Sequence, residues 1–293
     1  PYAKDIQTCR EISQVLNTYL IPWQKFAVST QEGGHALYPT VNTYAAYSSR
    51  FSYSGPNIQN VPPSLRKCIL PYPDHELLIL DYDKMEVRVA AHLSQDEELK
   101  KIVGPDLWKK MAKQILGVDE VDTRNKNTIK RLNYALQYGA GINKLRYVLE
   151  VESGRQWTVD EVKDIRTRYW TTYPKLSAWM QETRGYGAVS TTIRDPIGYR
   201  RTASHIDAHA LPNYLIQGYC AGIVKKAIID LHNAGMKVML QIHDEIVIAI
   251  PNFAPPNITG IAIRIMESIE PEIGLKVSSR IGTKNWGDLM EIK

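Results

Sequence analysis

The sequence predicts a mixed α/β fold, and three segments carry this prediction. Leu77-Leu-Ile-Leu80 is a run of four aliphatic residues, which is typical of a strand buried on both faces. The segment from Val238 to Ile250 predicts a β-hairpin, because a few polar residues interrupt two β-rich apolar runs. Residues 122–139 contain no proline and predict a helix.

Length and composition narrow the class of protein. The 293 residues, 44% of them hydrophobic, can bury a sizeable core in one large domain or two interdigitated ones. No run approaches the roughly eighteen apolar residues of a membrane span, and the N-terminus lacks a signal-peptide layout, so we expect a protein that is not secreted by that route. The widely spaced Cys9, Cys68 and Cys220 argue against disulfides and a zinc site. The net charge of +5 is compatible with polyanion binding.

Acidic residues follow the predicted strand and interrupt the predicted hairpin. Asp81 ends the strand and Glu86 follows it, while His243, Asp244 and Glu245 occupy the hairpin turn. An aspartate at a strand end caps a following helix or turn more often than it binds a ligand. If the two acidic strand ends converge, however, they form an oxygen-rich site for Mg²⁺, and two such ions can stabilise an in-line phosphoryl displacement. The alternative is a pair of unrelated turns.

The predicted helix carries a row of basic and aromatic residues. Asp122 or Thr123 can cap the helix and Gly139 can end it. A stripe about 18 Å long is formed by residues at intervals of four: Lys126, Lys130, Tyr134 and Tyr138. This stripe could bind phosphates through the lysines and a base or sugar through the tyrosines. The alternative is an amphipathic surface helix with half-buried tyrosines. A separate packing face is supplied by Ile129, Leu132, Asn133 and Leu136.

These segments resemble the motifs of family A DNA polymerases. Residues 80–94 are similar to motif A, residues 126–139 to motif B on the fingers helix, and residues 241–247 to motif C. Residues 49–62 resemble the template-primer segment of that family, and residues 213–218 resemble another duplex-contacting motif. The resemblance runs from about Arg10 to the C-terminus and implies template-directed DNA synthesis by a nucleotidyltransferase.

The resemblance assigns roles to the acidic residues. Asp81 and Asp244 would hold two catalytic Mg²⁺ ions, for which Mn²⁺ could substitute, and the backbone carbonyl of Tyr82 would be a further ligand. Glu245 would be an accessory carboxylate. Glu86 would lie under the incoming sugar as a steric gate against the 2′-hydroxyl, which distinguishes RNA from DNA.

The helix stripe acquires a role in binding the deoxynucleoside triphosphate. Lys130 would grip the triphosphate and Lys126 its terminal phosphate, while Tyr138 would stack near the templating base. Tyr134 stands where many relatives have phenylalanine, which implies weak discrimination against dideoxynucleotides.

Six further residues are implied in contacts with the primer-template duplex: Arg50, Asn57, Gln59, Asn213, Gln217 and His243. Such side chains suit the minor groove, where every base pair offers acceptors. For each asparagine or glutamine the alternative is a satisfied turn or core hydrogen bond.

Three further positions depart from the family pattern. Trp108 stands at the usual position of a histidine, so a donor to phosphate is absent there and Lys109 could compensate. Asp83 and Lys84 replace the usual Ser-Gln. A fourth carboxylate near the metal ions could bind water or perturb metal affinity.

The resemblance also implies a subdomain organisation, with a right-hand polymerase palm built on an antiparallel sheet and helical fingers. We expect a thumb-remnant helix over residues 1–25, palm over 26–96, fingers over 97–180 and palm again over 181–293. The thumb is then largely absent and proofreading is not expected. The sequence could be a fragment, a cleavage product or half of a split polymerase. Its possible protein partners are a separate chain that supplies a thumb or exonuclease and an accessory replication protein.

Three functions remain open at this level. The first is a DNA polymerase acting inside a bacterium, a phage-infected host or an organelle. The second is an inactive platform that binds primer-template. The third is a relative of RNA polymerases or reverse transcriptases, against which Glu86 argues.

Overall fold

The computed structural model describes residues 2–31, 34–43, 46, 48–186, 192–194, 198, 200–202 and 209–291. Their helices are α1 (Tyr2–Val15), α2 (Ile21–Phe26), α3 (Met85–Ser94), α4 (Glu97–Ile102), α5 (Leu107–Leu116), α6 (Thr123–Gln137), α7 (Ile142–Ser153), α8 (Val159–Thr172), α9 (Pro174–Tyr186), α10 (Leu211–Asn233) and α11 (Ile258–Glu267). Their strands are β1 (Val28–Ser29), β2 (His35–Ala36), β3 (Thr40–Asn42), β4 (Ser52–Ser54), β5 (His75–Tyr82), β6 (Thr192–Arg194), β7 (Arg200–Thr202), β8 (Lys237–Ile242), β9 (Glu245–Pro251), β10 (Val277–Gly282) and β11 (Met290–Glu291).

The chain folds as two compact units, each built from separate stretches of sequence. The first unit comprises Pro1–Tyr82, Val224–Ile269 and Val277–Lys293. The second unit comprises Asp83–Ile223 and Glu270–Lys276. Helix α10 therefore begins in the second unit and ends in the first.

A five-stranded antiparallel sheet, in the order β11-β10-β5-β9-β8, forms the centre of the first unit. Its middle strand is the predicted apolar run, in which Leu77, Leu78, Ile79 and Leu80 are all 0% exposed. Alternate residues of a strand face opposite sides of the sheet. On one side a hydrophobic cluster joins the middle strand to other parts of the unit, and it includes Leu77, Ile79, Trp23, Val247 and Trp286.

The predicted hairpin is also present in this sheet. Strands β8 and β9 pair in antiparallel register, and Ile242 stands opposite Glu245. His243 and Asp244 form the turn between them. His243 has a φ of 53°, a left-handed conformation that residues other than glycine adopt only rarely.

The second unit is mainly helical. Helix α6 packs against α5 and α7, and α3 packs against α9. The predicted ends of α6 are confirmed, because Asp122 accepts a hydrogen bond from the Asn125 backbone N–H at 2.6 Å and Gly139 has a φ of 76°. A Cβ on residue 139 would lie 3.1 Å from the carbonyl oxygen of His209, so glycine also meets a steric need there. The predicted packing face is buried: Ile129, Leu132, Asn133 and Leu136.

The predicted fold class is therefore confirmed as helices combined with an antiparallel sheet. The subdomain boundaries remain predictions. Across the described ranges, every helix is too short or too polar to cross a membrane.

Candidate active site

The two acidic strand ends lie on neighbouring strands of the central sheet. Asp81 near the end of β5 stands opposite Glu245, the first residue of β9. The backbone N–H of Tyr82 donates to the carbonyl oxygen of Asp244 at 3.3 Å. The predicted convergence is thus present, and the two turns are not unrelated. Nor is Asp81 the N-cap residue of the next helix, since that position belongs to Lys84.

Asp244 has a cationic neighbour in the same unit. The Nη2 atom of Arg50 lies 3.9 Å from Oδ1 of Asp244, and the two side chains are 27% and 25% exposed. An ion pair of this length between partly exposed groups is weak. Arg50 therefore supplies positive charge near the candidate site without enclosing the carboxylate.

Glu245 is held by an arginine of the neighbouring part of the sheet. Its Oε2 accepts a hydrogen bond of 2.8 Å from Nη2 of Arg280, and its side chain is only 12% exposed. Burial raises the pKa of Glu245; Arg280 counteracts this rise, and the nearby charge of Asp81 adds to it. Arg280 stands opposite Ile79 of the central strand. Glu245 is consequently an anchored carboxylate beside Asp81.

The donor set at the two strand ends fits Mg²⁺. Mg²⁺ prefers hard oxygen ligands, and in proteins it is commonly bound by one or two carboxylates together with water and substrate phosphates. Asp81 and Asp244 supply two carboxylates, and Tyr82 offers a backbone carbonyl. Within the described ranges, no group of three or more histidine, cysteine, aspartate or glutamate residues could hold a metal ion.

The stripe of helix α6 lies away from its packing face. Lys126 and Lys130 are exposed, Tyr134 is half-buried and Tyr138 is 41% exposed. This arrangement agrees with the phosphate-binding hypothesis, and it agrees equally with the amphipathic surface helix. The exposure of the stripe alone does not separate the two.

The aromatic residues of the stripe continue into a neighbouring helix. The ring centroids of Tyr134 and Tyr138 lie 6.1 Å apart, and those of Tyr134 and Trp108 lie 6.0 Å apart with an interplanar angle of 54°. Trp108 is on α5. Trp108, which stands at the usual position of a histidine, therefore forms a row of three rings with Tyr134 and Tyr138. Each ring can offer a face to an apolar or aromatic group.

Three residues predicted for different roles meet at one hydroxyl in the second unit. Tyr138 donates its hydroxyl hydrogen to Oε2 of Glu86 at 2.9 Å, and Nε2 of Gln217 donates to the same hydroxyl at 3.2 Å. Glu86 lies in the first turn of α3 and is buried, with 7% exposure. Glu86 is thus bound by Tyr138, the residue that caps the C-terminal end of α6, and Tyr138 is bound in turn by Gln217 of α10.

The residues predicted to contact the duplex have varied surroundings. Asn57 accepts a hydrogen bond from the Gln59 backbone N–H at 2.9 Å, and Nε2 of Gln59 donates to the Phe51 carbonyl at 2.8 Å. These are the satisfied turn hydrogen bonds of the alternative interpretation. His243 is exposed, and Oδ1 of Asn213 is buried without a hydrogen-bond partner in the ranges that the structure describes. Binding of DNA by all six stays a prediction.

Sequence reasoning missed several partners of these residues. Arg280 holds Glu245, Gln217 binds Tyr138 rather than standing alone, and Trp108 contacts Tyr134. No local pattern identifies Arg280, because its position depends on the register of β10 against β5. For the contact of Trp108 with Tyr134 the sequence offers one signal, the presence of a tryptophan where a histidine is usual.

Comparisons with known proteins agree with the motifs. The model of "DNA polymerase family A" matches residues 1–288. The chain is 28% identical to the thermostable DNA polymerase I of Thermus thermophilus over 98% of its own length and 36% of that protein. It is 29% identical to DNA polymerase I of Lactococcus lactis subsp. cremoris, over 98% of the chain and 34% of that protein. It is 26% identical to the DNA polymerase of Mycobacterium phage D29, over 94% of the chain and 46% of that protein.

A solved structure shares the fold. The POL domain of Pol1 from M. smegmatis, in complex with DNA primer-template and dNTP, matches with a TM-score of 0.78 and 23% identity. The match covers 94% of this chain and 50% of that one. The chain spans about a third of the length of the bacterial relatives. With a family model matched along nearly its whole length, the chain belongs to DNA polymerase family A.

Proposed function

We propose that this chain synthesises DNA on a template by transferring nucleotidyl groups from deoxynucleoside triphosphates to a primer 3′-hydroxyl. The observation that carries the proposal is the convergence of two acidic segments in one sheet: Asp81 stands opposite Glu245, and Asp244, which precedes Glu245, accepts a hydrogen bond from the Tyr82 N–H. Family membership supports it, as does the related Pol1 domain, which was solved with primer-template and dNTP.

The carboxylates of Asp81 and Asp244 and the carbonyl of Tyr82 would hold Mg²⁺, for which Mn²⁺ could substitute. Bound Mg²⁺ supplies Lewis acidity that lowers the pKa of a hydroxyl nucleophile and neutralises charge on a triphosphate. Glu245, anchored by Arg280, would add negative charge next to Asp81. Arg50 would limit the electrostatic repulsion around Asp244.

The second unit would recognise the incoming nucleotide. Lys130 would bind the triphosphate and Lys126 its terminal phosphate, because lysine is a compact cation with three donors. Tyr134 and Tyr138 would face the sugar and base, since aromatic rings stack on any base. Glu86, fixed by the Tyr138 hydroxyl, would stand where a 2′-hydroxyl would otherwise fit.

Contacts to primer-template DNA are proposed for the six residues named above, of which Arg50 and His243 adjoin Asp244 in space or in sequence. The other proposed contact residues are Asn57, Gln59, Asn213 and Gln217. A separate chain could supply a thumb or exonuclease. The proposed substrate places the activity inside a cell, where DNA is found.

Primer extension with Mg²⁺ tests the proposal. The native protein should extend a primer with deoxynucleotides, and Asp81→Asn or Asp244→Asn should reduce the rate by about a thousandfold or more, because each removes a charged metal ligand. Asp160→Asn is a matched control, since Asp160 lies in an exposed ion pair with Lys163 on α8. Binding of primer-template without extension would contradict the proposal and favour an inactive platform. Equal use of ribonucleotides would favour the RNA polymerase alternative.

A further inference from the structure

The turn between β5 and α3 carries two charged residues that the proposed mechanism leaves without a role. Nζ of Lys84 donates a hydrogen bond to Oδ1 of Asp83, and the two side chains are only 15% and 34% exposed. These are the two residues that replace Ser-Gln of the family pattern. Because the carboxylate of Asp83 is matched by an adjacent ammonium, it is not an uncompensated fourth acid.

Arg88 binds the same turn from the next turn of α3. Its Nε donates to the Asp83 carbonyl at 2.9 Å, and its Nη2 lies 3.7 Å from Oδ2 of Asp83. Its Nη1 donates to the carbonyl of Gly274 at 2.8 Å. The N–H of Asp83 donates to the carbonyl of Lys276 at 2.7 Å. Asp83 is therefore held at its N–H, its carbonyl and its carboxylate, all within the second unit.

Lys84 has an unusual backbone conformation. Its φ of 55° and ψ of 36° are left-handed, a region that disfavours residues with a Cβ. It is also the N-cap residue of α3, but no side-chain hydrogen bond caps this helix. The carbonyl of Lys84 accepts from the N–H groups of Val87 and Arg88, each at 3.1 Å. The ion pair with Asp83 thus involves the residue whose disfavoured conformation begins the helix.

The residue that this first helical turn carries is Glu86. It is buried, and it accepts the hydroxyl hydrogen of Tyr138 at 2.9 Å. A hydrogen bond of this kind depends on where α3 begins, and that is fixed by Asp83, Lys84 and Arg88. A shift of the first turn would move the Glu86 carboxylate relative to Tyr138.

We infer that Asp83 and Lys84 act as one unit, a pair of positioning residues for Glu86, and that their ion pair sets how strongly the enzyme prefers deoxyribose to ribose. The inference rests on the proposed function, in which Glu86 excludes the 2′-hydroxyl. Neither residue is assigned contact with the substrate.

A double-mutant cycle tests whether Asp83 and Lys84 act together. It compares the native protein, Asp83→Asn, Lys84→Gln and the double variant. For each protein, kcat/KM is measured for one deoxynucleotide and for the matching ribonucleotide on the same primer-template. Asp83→Asn leaves Lys84 and Arg88 as neighbouring cations without their carboxylate. Lys84→Gln lets the Asp83 carboxylate draw Arg88 away from the Gly274 carbonyl. Each single variant should lower the deoxy-to-ribo ratio by about tenfold, whereas the double variant, with a neutral pair that can still hydrogen-bond, should stay within about threefold of native.

The ratio separates positioning from general damage, because partial unfolding lowers kcat/KM for both nucleotides alike. Lys163→Gln, which breaks an exposed ion pair with Asp160, is the matched control and should leave the ratio unchanged. Glu86→Ala is the reference for complete loss of the gate. If Glu86→Ala lowers the ratio but the single variants do not, the inference is overturned and the proposed function stands. A double variant whose loss equals the product of the single losses also overturns it. If the native protein fails to extend a primer, the proposed function fails and the inference fails with it.

Discussion

Tyr138 on the proposed nucleotide-binding helix donates its hydroxyl hydrogen to the buried carboxylate of Glu86 at 2.9 Å. The two residues are separated by 52 positions in the sequence, and the family resemblance assigns them different roles, Glu86 under the incoming sugar and Tyr138 near the templating base. Their contact makes the orientation of the proposed sugar gate depend on the end of α6.

Tyr138→Phe removes the hydroxyl that donates to Glu86, so the Glu86 carboxylate should be held less firmly. Glu86 is 7% exposed, so it loses a partner in a place where water cannot fully replace it. We expect the unfolding free energy to fall by about 1–2 kcal/mol and the deoxy-to-ribo ratio of kcat/KM to fall about fivefold. Urea denaturation and single-nucleotide incorporation measure the two effects. Tyr147→Phe, at an exposed tyrosine of α7, should change neither. An unaltered ratio in Tyr138→Phe would show that Glu86 is held by other contacts.

Tyr134 should determine the response to chain terminators. Its hydroxyl could substitute for the missing 3′-hydroxyl of a dideoxynucleotide, so the native protein should discriminate weakly and Tyr134→Phe more strongly. The contact of its ring with Trp108 should remain, because phenylalanine keeps the ring. A chain-termination assay compares the two proteins. Equal discrimination would reject this role.

Arg280→Met should destabilise the first unit. The substitution removes the arginine that hydrogen-bonds Glu245, whose side chain is only 12% exposed. We expect a loss of about 2 kcal/mol, less than for a fully buried pair, because Arg280 itself is 32% exposed. Chemical denaturation provides the measurement. Arg146→Met is a matched control, since Arg146 pairs with Glu150 at 3.0 Å on a more exposed helix surface, and its loss of stability should be clearly smaller. If both variants lost similar amounts of unfolding free energy, the burial of Glu245 would not explain the effect of Arg280→Met.

Stability should also depend on pH through Glu161 at the start of α8. Hydrogen bonds from the Thr158 backbone N–H and from Arg155 and the Thr158 hydroxyl lower the pKa of Glu161 below its ordinary value of 4.5. A carboxylate whose pKa is lowered by folding stabilises the folded state above the unfolded pKa, and this contribution is lost as the pH falls through the folded pKa.

Native protein should therefore be more stable than Glu161→Gln at pH 6, and the difference should shrink as the pH falls below 4.5, the ordinary pKa of the carboxyl group. The midpoints of urea unfolding at a series of pH values measure this difference. Asp160→Asn, one residue away at an exposed position, is the control. A difference that is constant with pH, or that grows on acidification, would contradict the assigned cause.

Features that depend on local sequence could be predicted well. Side chains of successive strand residues face opposite sides of a sheet, so four successive aliphatic residues indicate a strand that is buried on both sides. These residues form the central strand. Asp122 and Gly139 act through neighbouring backbone groups, so the ends of α6 follow from residue type.

Features that depend on distant register could not be predicted. The ion pair of Glu245 with Arg280 joins residues 35 positions apart, and it requires β10 and β9 to flank the same strand. The left-handed conformation of Lys84 has no signal in its residue type, because lysine has no special preference for that region. Likewise, the partners of Asn57 and Gln59 depend on the path of their turn.

The arrangement of the central sheet affects how the chain can fold during synthesis. Strand β5 leaves the ribosome well before either of its hydrogen-bonding partners, which lie far downstream: Asp81 pairs with Glu245 and with Ser278. Until those residues emerge, β5 has two unpaired edges on an apolar strand, the kind of segment that aggregates or recruits chaperones. The helices between residues 83 and 223 rely on nearer contacts and can form while translation continues. The acidic strand ends therefore come together only after Asp244 and Glu245 have emerged, so a nascent chain that stops before residue 244 would carry folded helices but no carboxylate pair.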